Sequence, residues 1–496
     1  MHLLLSKREC GLRESMRNIY KKHEKSFGSI RIRRTFCRGK AYRMNEQMKK
    51  SKYEIDMCNG SILDKLISFS IPLMLSGILQ LLFNAVDIIV VGRFTGSEAL
   101  AAVGSTTALI NVFVNLFIGI SLGANVLAAR FYATGQEKEM SETVHTAITL
   151  ALISGIVMGI VGILAAKGAL ELMDTPDNVL RLATLYMRIY FMGMPFFMLY
   201  NYGAAILRAV GDTKRPLFFL IISGTTNVVL NLILVIQFEM GVAGVAIATV
   251  ISQCISCVLV LRCLYYSEGS YQLRFAKLGM KARYVKQIFQ VGIPAGIQST
   301  IINFSNVLLQ SSVNSFGSIA MAGYTAANNI LGFLYVSVNS VSQTCMSFTS
   351  QNYGVRKLKR MDKVLLECLG LTVTISLIFG GGSYLFGRHL MHIYTNSPDV
   401  VACGMDIMLY TTVTYFLCGI MDLIPGALRG MGHSTVPMIL SVIGTVGTRV
   451  VWIYLVFPYH RALDFLFISY PVSWILTIVM QVICFYFVRK KVHALQ

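Results

Sequence analysis

The sequence predicts an all-α membrane protein of about twelve transmembrane helices, arranged as two pseudo-symmetric six-helix lobes. Three observations carry that reading. Of 496 residues, 55% are hydrophobic and 14% charged. The apolar residues fall in runs of ~20, the length a helix needs to cross a bilayer. Segments of the first half recur in the second at constant spacing. A soluble helical protein would need polar faces along these runs, yet Thr146 to Ala166 carries no charge. An outer-membrane barrel would alternate apolar and polar residues, and these runs are continuous.

In chain order, residues 1–60 form a strongly basic tail without apolar periodicity, expected to be disordered or surface-bound. Met44 and Met48 stand shortly before the first span, so translation is expected to begin there, making 1–43 an extension. Spans are expected to begin near Ile67, Leu100, Val144, Val179, Pro216 and Gly241, giving an N-lobe over 61–266. A basic linker, 267–285, leads to a C-lobe over 286–488. Its spans begin near Ile288, Ile319, Val364, Val400, Pro437 and Phe465, and 489–496 closes the chain.

The net charge of +20 would suggest nucleic acid in a soluble protein. Here the basic residues cluster in the tail, at Arg274, Lys277, Lys281, Arg283 and Lys286, over 356–363, and at Arg489, Lys490 and Lys491. All fall on one side of the predicted spans, the positive-inside pattern of a membrane protein with both termini cytoplasmic. No nucleic-acid partner is expected. Most of the 11 cysteines lie within spans, so no disulfide framework follows. Cys254 and Cys257 form a mid-span C-x-x-C without neighbouring histidines, read as packing. His389 and His392 lack a third metal ligand and are read as interfacial.

Leu207 to Pro216 matches Leu428 to Pro437 at an offset of 221. Pro176-Asp177-Asn178-Val179 matches Pro398-Asp399-Val400-Val401, and Pro72 matches Pro294, each at an offset of 222. Six spans per half is an even number, so both halves enter the membrane in the same sense, as in transporters built from parallel repeats. Pro72 and Pro294 are candidate hinges.

Ionisable groups deep in a span cost ~2.5 kcal/mol or more and need a reason. Asp87 has no basic residue one turn away and could be neutralised by a proton or a sodium ion; the alternative is a structural hydrogen bond. Asn227 and Asn231 share a helical face, with Thr249 on the next span. Together these oxygens could hold a small cation, or could simply bond between helices. Asp422 either faces a substrate cavity, with Asn201 and Asn303, or pairs with Arg449. Arg188 and Arg449 read as structural intramembrane charges. No Walker A sequence, H-E-x-x-H or G-x-S-x-G occurs, so neither ATP hydrolysis nor another enzymatic activity is expected, and an ion gradient is the expected energy source.

Ile71-Pro72, Val86-Asp87 with Gly92-Arg93, Leu100 to Gly104, Gln351 to Gly354, and the paired Leu-Arg-x-x-Gly ends together resemble MATE (multidrug and toxic compound extrusion) transporters. The resemblance runs from about residue 60 to the C-terminus. It implies the MATE/MOP-superfamily fold, a bacterial inner-membrane location, alternating access, and export of cationic or amphipathic compounds in exchange for sodium ions or protons. A monomer is expected, with small-molecule substrates and the bilayer as its partners, and no cofactor beyond the coupling ion. The DinF-like branch implies a cation site at Asp87, Asn227, Asn231 and Thr249, where Asn231 replaces an acid. The NorM-like pattern departs at Ile302 and in the spacing of Asp422 from Arg429. Two other readings compete: a lipid-linked oligosaccharide flippase of the same superfamily, and a channel or scaffold.

Overall fold

A computed structural model of the chain describes residues 53–173 and 175–494. The expectations for residues 1–52, including the translation start, lie outside them. Apolar runs with nowhere to bury backbone amides except along their own axis become helices, and the described residues form helices joined by short turns. In the N-lobe these are α1 (Leu63–Phe94), α2 (Ser97–Ala133), α3 (Glu137–Glu171), a broken α4 (Asp177–Met192 and Met194–Ala209), α5 (Lys214–Gln237) and α6 (Gly241–Tyr266). The C-lobe repeats the order with α7 (Ala282–Asn314), α8 (Ser318–Gly354), α9 (Leu358–Leu385), a broken α10 (Pro398–Thr411 and Tyr415–Gly430), α11 (Thr435–Tyr459) and α12 (Leu463–Ala494).

Nine of these helices are individually long and apolar enough to cross a membrane, and the two broken pairs raise the number to eleven among the described residues. The twelfth is α7, the repeat counterpart of α1. It falls short on apolarity because Gln298, Ser299, Thr300, Asn303, Ser305 and Asn306 interrupt it.

The duplication is also written in the backbone. Gly96 and Gly317 start α2 and α8 at φ 92° and 91°, and Gly211 and Gly432 close α4 and α10 at φ 100° and 89°. Each pair is 221 residues apart, and each φ is one that glycine adopts without steric cost. Gly135 after α2 has φ 67°, and its counterpart after α8 is Arg356 at φ 58°. Here the second half keeps the turn without the glycine.

Helices α1 and α7 continue through Pro72 and Pro294, the candidate hinges. Sharp breaks lie elsewhere: the chain bends by 47° at Gly193, two residues before Pro195, and by 45° at Thr412–Thr414. Thr412 and Thr414 donate their hydroxyls to Met408 O and Tyr410 O one turn back, at 2.6 and 2.5 Å, a bond that bends helices.

The lobes meet where α2 crosses α7. A β-carbon added at Gly119 would lie 2.3 Å from Gly296 Cα, one at Gly123 2.1 Å from Ile288 O, and one at Gly296 2.4 Å from Leu116 O. Glycines four apart on both helices let the backbones touch, the small-xxx-small crossing of membrane helices.

Polar bonds reinforce this crossing at the end carrying the basic loops. Ser347 Oγ donates to Asn125 Oδ1 at 3.1 Å, Ser350 Oγ to Val126 O at 2.7 Å, and Gln351 Nε2 to Ala209 O at 2.7 Å. Two straps cross between the lobes there. Ahead of α1, residues 55–60 lie on the C-lobe: Met57 is fully buried, and Arg360 donates to the carbonyls of Met57, Asn59 and Gly60. Ahead of α7, the linker lies on α3 of the N-lobe, where Arg274 N–H donates to His145 Nε2 at 3.0 Å and Lys281 pairs with Glu142. The last residues of the expected disordered tail are therefore packed structure.

Candidate functional site

Asp87, Asn227, Asn231 and Thr249 come together in the N-lobe from α1, α5 and α6. Asn231 Nδ2 donates both to Asp87 Oδ1 and, at 3.3 Å, to Asn227 Oδ1. Asn227 Nδ2 reaches Thr249 Oγ1 at 3.4 Å, and that hydroxyl donates to Val245 O at 3.0 Å. The four-residue spacing on α5 stacks both amides on one face. Asn231 and Asn227 are buried, at 0% and 5% exposure, whereas Asp87 and Thr249 are only partly buried at the edge of the cluster.

The chemistry is that of an oxygen-lined niche. Asn231 Oδ1 is buried and accepts no hydrogen bond from the described residues. Asp87 makes no ion pair with them, and its second carboxylate oxygen makes none of the hydrogen bonds described. An orphaned carbonyl oxygen beside an unpaired carboxylate fits a small hard cation or a proton. No cluster of three or more His, Cys, Asp or Glu exists among the described residues, so a multi-carboxylate divalent site is not formed here. One turn along α6 from Thr249, Gln253 Oε1 lies 2.7 Å from where a β-carbon on Gly193 would sit, at the break in α4.

Sequence reasoning did not single out Gln253. Gln253, four residues after Thr249, was the available signal.

The C-lobe places its polar residues differently. Arg449, 3% exposed, donates from Nη1 to Asn306 Oδ1 at 3.0 Å and lies 4.3 Å over the Tyr470 ring. It does not pair with Asp422, which corrects the salt-bridge alternative. Asp422 is partly buried on the second half of α10. Its backbone carbonyl accepts from Ser342 Oγ at 2.8 Å, and its carboxylate makes no hydrogen bond with the described residues. Arg429, seven residues on, turns to Gln298 Oε1 at 2.7 Å.

Asn201 donates to Phe197 O of its own helix at 2.9 Å, and Asn303 is exposed without a partner among the described residues. No hydrogen bond joins Asp422, Asn201 and Asn303. Arg188, expected as a structural charge, is exposed and makes no ion pair or hydrogen bond with the described residues.

Comparison with known proteins adds the following. The MatE family model matches residues 72–233 and 294–455, two segments 222 residues apart. The probable multidrug resistance protein YoeA of Bacillus subtilis is 28% identical over 434 residues, covering 85% of this chain and 93% of that protein. The probable multidrug resistance protein NorM of Thermotoga maritima is 24% identical, covering 76% and 82%. The multidrug export protein MepA of Staphylococcus aureus is 21% identical, covering 76% and 84%. Among solved structures, a MOP superfamily transporter from Pyrococcus furiosus matches with a TM-score of 0.82 at 22% identity, over 90% of this chain and 99% of that one. An outward-facing multidrug resistance MATE transporter matches with a TM-score of 0.81 at 21% identity, over the same shares. At these identities the structures speak for the fold alone.

Proposed function

Because this chain belongs to the MatE family, matched by the family model in both halves, we propose that it is a secondary active multidrug exporter whose coupling cation binds at Asp87, Asn227, Asn231 and Thr249. The protein is a transporter and not an enzyme. It sits in the bacterial inner membrane as a monomer with both termini cytoplasmic, a reading supported by the placement of its basic loops and by two complete lobes in one chain. Cationic or amphipathic compounds leave in exchange for sodium ions or protons.

The observation that carries the coupling site is the unsatisfied Asn231 Oδ1 beside an Asp87 that has no counter-charge among the described residues. A ligand that supplies positive charge there adds a favourable term to one helix packing and not to another, which is all that coupling requires. Asp87 joins α1 to α5, so filling the niche acts on how α1 packs within its lobe. With the basic ends of the lobes bonded together, this arrangement leaves access from the other side. The substrate occupies the space between the lobes, with Asp422, Asn201 and Asn303 facing it from α10, α4 and α7. Asp422 offers the carboxylate a cationic compound needs.

The test is efflux of a cationic dye from proteoliposomes under a sodium gradient and, separately, a proton gradient. Asp87→Asn should lose gradient-driven efflux and keep wild-type expression and monodispersity. Wild-type efflux from that variant would falsify the assignment. A flippase of the same superfamily would instead move a lipid-linked sugar in this assay format and ignore the dye.

A further inference from the structure

The pseudo-symmetry exposes a place where the two lobes are not equally filled. In the N-lobe the turn after α4 is covered by the strap ahead of α1. Gly211 packs against Ile55, whose carbonyl oxygen would lie 2.5 Å from an added β-carbon, and Ile55 N–H donates to Gly211 O at 3.3 Å. In the C-lobe the equivalent Gly432 instead borders a cavity of about 1000 Å³. One wall is α7, with Phe289, Ile293 and Pro294, and the other is the start of α11, with Val436. The charged or titratable groups lining it are Lys286 and His433, and no carboxylate lines it.

Behind Gly432 stands Arg130 of α2, whose Nη2 would lie 3.1 Å from a β-carbon on that glycine. Its Nε and Nη2 are buried without a hydrogen-bond acceptor among the described residues, and its guanidinium lies 5.0 Å over the Tyr353 ring. The imidazole of His433 registers the surrounding field: burial, then Lys491 and Arg130, push it below the ordinary histidine range. Positive charge with no counter-ion meets two apolar walls at the end of the spans where the basic loops gather. A small inorganic anion would leave the apolar walls bare.

We propose that this recess binds an acidic phospholipid, its phosphate between Lys286 and His433 and its acyl chain along Phe289, Ile293 and Val436. Lys286 and His433 both belong to the C-lobe, so the lipid is held by that lobe, with the positive charge of Arg130 behind Gly432 adding to the field at the recess.

The full chain, delipidated in neutral detergent, would be titrated with short-chain phosphatidylglycerol, short-chain phosphatidylcholine or inorganic phosphate. Thermal unfolding and lipid retention by native mass spectrometry would be followed. Phosphatidylglycerol should raise the unfolding temperature and be retained at one molecule per chain, and the other two should not. Lys286→Glu should weaken retention about tenfold or more. Val436→Trp, which fills the wall and leaves the charges alone, should do the same, and Arg181→Glu, exposed at the start of α4, should not. Equal retention of both lipids by the wild type, protection by phosphate alone, or indifference to Val436→Trp would each overturn the proposal. If Lys286→Glu fails to fold, Val436→Trp decides.

Discussion

Where α1, α5 and α6 of the N-lobe gather Asp87, Asn227 and Thr249, α7, α11 and α12 of the C-lobe gather Asn306, Arg449 and Tyr470. Arg449 is 222 residues after Asn227, and Tyr470 is 221 after Thr249. One cluster thus holds a carboxylate without a counter-ion among the described residues, and the other holds a guanidinium seated on an amide and an aromatic face. The difference lies in what can change. A carboxylate can be neutralised by a proton or a metal ion, whereas a guanidinium stays charged at any physiological pH. At these corresponding positions the charge is exchangeable in one half and fixed in the other.

The most severe break of that contrast is Asp87→Asn set against Arg449→Gln. The first should reduce gradient-driven dye efflux to the background of empty vesicles. The second should keep the dependence on the gradient and lower unfolding stability by about 2 kcal/mol, the worth of one charge-assisted hydrogen bond, measured by thermal denaturation in detergent. Loss of gradient dependence in Arg449→Gln would make the C-lobe cluster a second coupling site.

A large effect is also expected at the crossing both lobes share. Gly296→Val places branched atoms where Leu116 O lies 2.4 Å from the first added carbon. Efflux should fall at least about tenfold, and cysteine accessibility at the basic end should rise.

A smaller effect sharpens the N-lobe half. Asn231→Asp sets a second carboxylate against Asp87, and two like charges at one site favour an added cation. The sodium concentration for half-maximal efflux should drop about tenfold, equivalent to ~1.4 kcal/mol. If sodium dependence stays flat while the pH profile moves upward, the coupling ion is the proton.

The smallest effect is expected of Thr249→Val, which removes one hydroxyl from the niche and leaves Asp87 bonded to Asn231. A few-fold rise in the same sodium concentration would match one lost neutral oxygen.

Much of this was legible in the chain because hydropathy and internal matches are local properties. The run from Thr146 to Ala166 could only be a span, and Leu207 to Pro216 announced its repeat. The grouping of Asp87, Asn227, Asn231 and Thr249 could be suspected from i,i+4 spacing and family resemblance, and the fold brings them together through a connected set of hydrogen bonds.

What could not be read depends on which faces of separate helices meet. Arg449 was weighed as a partner for Asp422, and only the packing of α11 against α7 and α12 shows it turned to Asn306 and Tyr470 instead. The break at Thr412–Thr414 carries no proline to announce it; hydroxyls that bond backward accompany it, and their effect depends on rotamers that a sequence does not show. The glycine pairs of α2 and α7 were readable as small-xxx-small motifs, but such a motif does not name its partner helix.

The crossed straps set an order for assembly. Residues 57–60 find their donors about 300 positions later in the chain, at Arg360. As the chain leaves the ribosome from its N-terminus, the N-lobe can insert and pack, with Ile55 on Gly211, while residues 57–60 still lack their C-lobe donors. Contacts so distant in sequence form late. The crossing of α2 with α7 and the bonds from α8 can form before them, so the α1 strap is latched onto the C-lobe only once α9 has been synthesised.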